Sequence, residues 1–184
     1  MSAEDVSQES YAVYEELKAL LKFSDQDAQN LIELKGLLEP SIPGITDRFY
    51  DVLQGQDSTM KFIEGRVDML KKTHIAWFMD VLGGEYGKEF FARQFAIGLA
   101  HVRISLPPQF VEGIMSFIRG ESIVAINSLV ADGQKAAALA ASLTKILDIN
   151  LAIINLSYHE VRLDKLTHVT GMKRKLLENL ILQG

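Results

Sequence analysis

The chain has 184 residues, of which 48% are hydrophobic and 23% are charged, a composition typical of one soluble globular domain with extensions. Its formal net charge of −5 leaves no basic surface, so we expect no nucleic-acid partner. Because the chain contains no cysteine, it cannot form a covalent c-type haem linkage, an iron–sulfur cluster, a thiolate-ligated haem or a disulfide.

The N-terminal residues MSAEDVSQES are polar and acidic without an apolar core, so we predict no signal peptide and a cytoplasmic location. The longest apolar run, near residues 147–156, is interrupted by Asp148, Asn150 and Asn155. We therefore predict no stable membrane association.

Helical rather than alternating periodicity runs between short clusters of glycine and proline, which predicts an all-α chain. The first amphipathic helix is predicted over residues 9–22. Ser24 or Asp25 is predicted to cap a second helix. The covered stripe of that helix consists of leucines, namely Leu31, Leu34, Leu37 and Leu38.

Pro43 is predicted to stand in the first turn of a third helix, where a missing backbone N–H is tolerated. Tyr50 lies at the edge of the apolar face of this helix. The face itself is predicted to contain Ile42, Ile45, Phe49, Val52 and Leu53. A short segment at residues 60–65 follows it.

His74 lies near the middle of a helix predicted within residues 66–84, RVDMLKKTHIAWFMDVLGG. The residues that share its face are Val67, Leu70, Trp77, Phe78 and Val81. The pattern therefore predicts that this imidazole points inward.

A second inward histidine, His101, ends the helical part of residues 95–110, FAIGLAHVRISLPPQF. At about 100° per residue it shares a face with Phe90, Gln94, Ile97 and Gly98. A buried imidazole needs a partner, and the pattern leaves two interpretations open. His101 is either a hydrogen-bonded core histidine or the ligand of a metal held by a prosthetic group.

The two prolines Pro107 and Pro108 are predicted to begin a long helix, and Gly133 separates it from a longer one that begins near Lys135. One side of the last helix is predicted to contain Leu143, Ile146, Asn150, Ile153 and Ser157. We predict exposed or subunit-boundary positions, without a ligand role, for its histidines His159 and His168.

The string IGLAHVRISLPPQF resembles the IGxxHxRIGLPPxWY segment of the globin-coupled sensor and protoglobin family of haem proteins. The likeness extends to FYDVL at residues 49–53 and to SYH at residues 157–159, and covers roughly residues 28–163. Ser105 stands where the family usually has glycine, and Gln109 and Phe110 replace its aromatic pair. We therefore expect the packing just after the histidine to differ.

The resemblance implies a globin fold with an extra N-terminal helix and long G and H helices at its C-terminal end. It implies that His101 is the proximal ligand of haem b, iron protoporphyrin IX, with Ile97 on the same face. It places Tyr50, Leu70 and Thr73 along the distal pocket.

Three interpretations of His74 remain open on the sequence. It closes the sixth coordination position of a bis-histidyl haem, donates a hydrogen bond to a bound gas, or packs with its nitrogens satisfied elsewhere. Trp77 is predicted to pack in the core or at the haem edge. Tyr50 either donates a hydrogen bond to a bound gas or lies at the boundary with its hydroxyl in water. Lys71, Lys72 and Arg103 are available cations, and no propionate partner is assigned among them.

The resemblance predicts a gas or redox sensor that binds O2, CO or NO and signals through a homodimer of its last two helices, rather than an enzyme. Two alternatives are a haem enzyme with NO dioxygenase or peroxidase-like activity, and a haem-free globin-like regulator. The predicted divisions are an extension helix at 1–24, a sensor globin domain at 25–165 and a helical tail at 166–184. Two expectations remain open for this tail. Either it connects the globin domain to a transmitter domain or protein, or it is the last helix of a natural single-domain globin.

Overall fold

The computed structural model describes residues 3–183, with side chains from residue 8 to residue 181, and this range is helical without any strand. In chain order the helices are α1 (Ala3–Leu20), α2 (Asp25–Leu38), α3 (Ile42–Gln54), α4 (Asp57–Ile63), α5 (Val67–Val81), α6 (Lys88–Arg103), α7 (Pro108–Leu129), α8 (Gly133–Thr170) and α9 (Arg174–Gln183). The predicted all-α class is confirmed.

The long helix α8 is the centre of the packing, and it contacts α1, α2, α6, α7 and α9. Its predicted covered side is confirmed, because every member is fully buried: Leu143, Ile146, Asn150, Ile153 and Ser157. Both predicted surface histidines, His159 and His168, are exposed in this chain. A single apolar stripe on one long helix thus organises most of the core.

Local sequence signals place several helix ends as predicted. The Ser24 side chain caps α2 and forms a capping box with Asp27, while Pro43 lies in the first turn of α3. Pro108 is the first residue of α7. Asp132 caps α8 by accepting hydrogen bonds from two backbone N–H groups, so that helix begins just before the predicted start at Lys135.

Three details of the prediction were wrong. Helix α1 begins at Ala3, ahead of the predicted residue 9. Residues 57–63 form helix α4, which is too short to show a helical period in the sequence. The Val52 side chain is 45% exposed, because Thr46 and Tyr50 complete the covered face of α3 in its place.

Gly98 allows α6 to lie directly against α8. A Cβ atom at this position would overlap the Ser157 hydroxyl and stand 2.9 Å from the carbonyl oxygen of Ile154. Only glycine therefore permits this close crossing, which fixes the helix that carries His101 against the centre of the core.

The C-terminal helix α9 folds back onto α8. Gly171 ends α8 with φ of 68°, in the left-handed region, and reverses the chain. Two guanidinium nitrogens of Arg174 then donate to the buried Glu160 carboxylate at 2.6 and 2.8 Å, and Leu177 of α9 is buried. Since α8 runs through residue 165, the predicted boundary after that residue stays a prediction.

By length and composition, α8 is the one helix in the described range that is apolar enough to cross a membrane. Half of its most apolar window is buried inside the fold. A core helix of a globular domain has the same properties, so this feature alone assigns no membrane role.

Candidate functional site

A cavity of about 380 Å³ lies among helices α3 to α8. This volume is within the range of small-molecule binding sites, which are mostly apolar with a few polar groups. All of the residues predicted for a cofactor site line this one cavity: Tyr50, Leu70, Thr73, His74, Trp77, Ile97 and His101. The fold thus brings together residues that are up to 51 positions apart in the sequence.

His101 reaches the cavity from the last turn of α6. Its Nδ1 is buried and has no hydrogen-bond partner in the part of the chain that the structure describes. Burial lowers the pKa of the imidazole, since a charged ring is poorly solvated there. The first of the two open interpretations, a hydrogen-bonded core histidine, finds no support in these contacts.

His74 reaches the same cavity from the middle of α5. Its Nδ1 lies 3.0 Å from the Thr46 hydroxyl, whereas its buried Nε2 has no partner among the described residues. Burial lowers the pKa of His74 to about 4, so the ring is neutral at physiological pH. A neutral imidazole with one nitrogen hydrogen-bonded and the other free is suited to bind a metal.

Aromatic rings surround the His74 imidazole. Trp77 stacks on it with ring centroids 5.2 Å apart and an interplanar angle of 23°. The centroids of Phe49 and Tyr50 lie 4.8 and 6.2 Å from the imidazole centroid. This packing holds the ring in place on more than one side.

Trp77 is in turn fixed by a chain of hydrogen bonds. Its Nε1 donates to Oε1 of the fully buried Gln94 at 3.0 Å, and Nε2 of Gln94 donates to Asp80 at 2.8 Å. The same carboxylate accepts from Nη2 of Arg93 at 2.8 Å. The sequence predicted Gln94 on the covered face of α6 but indicated no role for it. The only signal of such a role was a glutamine on an otherwise mostly apolar face.

Tyr50 is 5% exposed, which places it inside the cavity rather than at a boundary. Burial raises the pKa of its phenol to about 12. The hydroxyl therefore keeps its proton at neutral pH, and it makes no hydrogen bond within the described chain. It is a free donor beside His74.

Arg66 contributes the one charged side chain of the described cavity lining, and no motif in the sequence had singled it out. Its Nη2 donates to the carbonyl oxygen of Phe62 at 2.7 Å and the residue is exposed, so it stands at the mouth. None of the three cations noted in the sequence lines the cavity, and Lys71 is paired with Asp47 at 2.8 Å. The lining residues that the sequence missed are mostly apolar: Leu53, Phe62, Ile63, Ala100, Ile104, Leu106, Phe110, Val111, Ile114, Met115, Ile118 and Ile154.

The donor set fits a metal held within an organic prosthetic group better than a bare ion. Groups of three or more His, Cys, Asp or Glu residues placed to hold a metal are absent from the described residues. Two neutral imidazoles cannot complete a coordination sphere, and the remaining lining is apolar. A porphyrin supplies four further ligands and an apolar plane, so the residues present fit haem.

The turn after His101 shows why the family pattern has glycine there. Ser105 adopts φ of 56°, a left-handed conformation that most side chains disfavour. Tyr158 fixes the turn by donating to the carbonyl oxygen of Leu106 at 2.7 Å. Ser105 thus occupies a position whose backbone conformation suits glycine, while the expected difference in packing after the histidine stays a prediction.

Comparisons with known proteins agree with this fold. Residues 10–163 match the Protoglobin family. The globin domain of the Geobacter sulfurreducens globin-coupled sensor is 34% identical, with a TM-score of 0.75, covering 78% of this chain and 96% of that one. The ferrous globin domain of E. coli DosC is 16% identical and covers 77% of this chain and 96% of that one; its TM-score of 0.65 supports the fold alone. The predicted globin fold is confirmed, and the chain belongs to the protoglobin family, as a globin domain of the globin-coupled sensor type.

Proposed function

We propose that this domain binds haem b in the cavity among α3 to α8 and acts as a gas or redox sensor. The observation that carries the proposal is the pair of neutral imidazoles, each with a buried ring nitrogen that lacks a partner in the described chain, at one apolar cavity. When bound, haem would supply an iron that can coordinate imidazole nitrogens and diatomic gases.

In this proposal His101 is the proximal ligand. It lies on α6, which Gly98 allows to pack directly against the central helix α8, so the helix that carries this ligand is part of the core. Arg66 at the cavity mouth is positioned to pair with a propionate carboxylate. Leu70, Ile97 and Thr73 line the walls of the cavity.

His74 is proposed as a second residue that would hold the iron. Its neutral ring is fixed by Thr46 and Trp77, and Nε2 is its only nitrogen without a partner in the described chain. O2, CO or NO would compete with this imidazole, so the apparent gas affinity would be lower when fewer sites are open. Tyr50, a protonated donor beside His74, is proposed to stabilise a gas that enters.

Signalling is proposed to pass from α6 to α8. These helices cross at Gly98, and Tyr158 of α8 also holds the turn after His101, so a shift of the proximal helix changes contacts along α8. We propose that α7 and α8 form a homodimer, with a downstream transmitter domain or protein as the receiver. Exposed apolar residues on these helices support this: Val124, Leu129, Leu166 and Val169.

We infer binding and signalling rather than catalysis, because an imidazole that coordinates iron through Nε2 cannot also move protons with that nitrogen, and the described cavity lining contains no carboxylate. The site also argues against a haem-free regulator, which has no need of two inward imidazoles with unpaired nitrogens. A cytoplasmic location and the absence of stable membrane association remain part of the proposal.

The test is reconstitution of the purified protein with hemin, followed by absorption spectroscopy. We expect stoichiometric uptake by the native protein and loss of stable uptake in His101→Ala, because the protein has no cysteine for a covalent link. The exposed His159→Ala is the matched control and should take up haem normally. A native protein that stays colourless with ample hemin contradicts the proposal.

A second variant tests the sixth ligand. His74→Ala should keep haem and change a six-coordinate spectrum to a five-coordinate or water-ligated one. An unchanged spectrum would remove the bis-histidyl assignment while leaving the globin assignment intact.

A further inference from the structure

The Thr46 hydroxyl is the only hydrogen-bond partner of the His74 ring in the described chain. Thr46 is fully buried in α3, and its Oγ1 lies 3.0 Å from Nδ1 of His74 in α5. The two helices pack directly against each other. The contact therefore joins two elements of the core instead of two neighbours on one helix.

The direction of this hydroxyl is unusual within the molecule. The other five threonines all donate to backbone carbonyl oxygens, as helical threonines commonly do: Thr59, Thr73, Thr144, Thr167 and Thr170. Thr46 instead directs its hydroxyl to His74 across the gap between α3 and α5. The Thr46 side chain thus adopts a rotamer that bonds to the imidazole and not to the backbone of its own helix.

The chemistry of a neutral imidazole gives this contact a consequence. One ring nitrogen carries the proton and the other a lone pair, so Nε2 can coordinate a metal only if the proton is on Nδ1. A hydroxyl oxygen can accept that proton in a hydrogen bond. Partners of this kind orient metal-binding histidines and fix their tautomer.

A hydroxyl also differs from a carboxylate or a carbonyl oxygen in that it can donate as well as accept. When Nε2 coordinates, Thr46 accepts from Nδ1–H; when the ring is free and Nε2 carries the proton, the same hydroxyl donates to Nδ1. The hydrogen bond persists in both tautomers. The ring therefore keeps its place whether or not it binds the iron.

We propose that Thr46 is a positioning residue for His74, which holds Nε2 toward the cavity and sets how strongly this imidazole competes with an incoming gas. The coordination part of the inference rests on the proposed function. The positioning part concerns the protein alone.

The first experiment uses the haem-loaded protein and CO. In Thr46→Val, loss of the hydroxyl should weaken internal binding of His74 about 10- to 100-fold, the usual effect of removing such a partner. The apparent CO affinity should then rise by the same factor as the fraction of protein in which His74 does not occupy the iron. Thr46→Ser keeps the hydroxyl and should restore native behaviour. Thr144→Val, whose hydroxyl bonds only to the carbonyl of Ala140, should behave as the native protein.

The second experiment uses the haem-free protein with 15N-labelled histidine. The ring nitrogen shifts of His74 should change in Thr46→Val and stay native in Thr46→Ser and Thr144→Val. Thr46→Ala is the replacement if the valine variant does not fold.

The outcomes separate the two proposals. Failure of the native protein to bind haem overturns the proposed function, while the nitrogen shifts still test the contact. A haem-loaded native protein that is five-coordinate, or a valine variant with native CO affinity, overturns the role of Thr46 in coordination. Unchanged nitrogen shifts in the valine variant overturn the positioning role itself.

Discussion

Nε1 of Trp77 donates a 3.0 Å hydrogen bond to Oε1 of Gln94, and this contact joins the helix of His74 to the helix of His101. Gln94 is fully buried and passes the connection to Asp80 through its amide nitrogen. Trp77 itself stacks on the His74 ring. The two candidate ligand helices are thus linked by side chains as well as by the cavity they share.

Replacement of Gln94 by leucine should destabilise the haem-free protein. The variant removes the acceptor of the half-buried Trp77 indole N–H, and loss of that hydrogen bond should lower the free energy of unfolding by about 0.5–1.5 kcal/mol. Urea unfolding followed by fluorescence measures it directly, because Trp77 is the only tryptophan. Gln26→Leu, at an exposed glutamine of α2, should change stability little, and an equal loss in both variants would count against the buried contact.

Gly98→Ala should also be destabilising, because the added methyl group overlaps Ser157 and approaches the Ile154 carbonyl oxygen at the crossing of α6 and α8. We expect a loss of about 1–3 kcal/mol, the range for overpacking. Gly113→Ala in α7 is the matched control, since nothing lies within 4 Å of its added Cβ.

The control should be stabilising by about 0.5–1 kcal/mol, because alanine favours a helix interior more than glycine does. Thermal unfolding of both variants gives the comparison. Equal shifts of the two melting temperatures would show that the crossing tolerates a larger residue at Gly98.

The sequence predicted those features of the fold that local signals encode. The Ser24 cap, Pro43, and the buried stripe of α8 depend on short-range patterns, and the structure has them as predicted. The seven-residue α4 was missed because it is shorter than two helical turns. Val52 was misplaced because helical period alone does not show where a covered face ends.

The candidate site also contains some residues that the sequence predicted and others that it did not. His74 and His101 were found because an inward imidazole is conspicuous in a helical pattern, and the cavity contains both. Thr46 and Gln94 were not assigned roles, because threonine and glutamine are common in helices and their partners lie on other helices. Thr46 and His74 are 28 residues apart, and Trp77 and Gln94 are 17 residues apart. Contacts over such separations depend on how the helices pack and not on local sequence.

The haem-free protein should lose stability in mild acid through His74. Its pKa is about 4 in the folded protein and 6.5 without burial. Between these values the unfolded chain binds a proton and the folded chain does not, so stability rises with pH and is independent of this group above about 6.5.

The loss on going from pH 6.5 to pH 4 should be about 3 kcal/mol from His74. His101 contributes in the same direction, since burial also lowers its pKa. Urea unfolding of the native protein and of His74→Leu across this pH range measures the difference. If the two proteins have the same slope of stability against pH, the His74 ring is not buried in its neutral form.

Tyr50→Phe should weaken O2 retention in a haem-loaded protein whose sixth position is open. The phenol is buried, and its pKa of about 12 keeps it a hydrogen-bond donor at neutral pH. Loss of one hydrogen bond of about 0.5–1.5 kcal/mol should speed O2 dissociation roughly 2- to 10-fold. The measurement is best made in the His74→Ala background, where the internal imidazole no longer competes.

CO, which attracts a hydrogen bond less strongly, should dissociate at nearly the same rate with and without the hydroxyl. Tyr11→Phe, far from the cavity in α1, is the control, and equal O2 dissociation rates in all three proteins would show that the Tyr50 hydroxyl does not reach the gas.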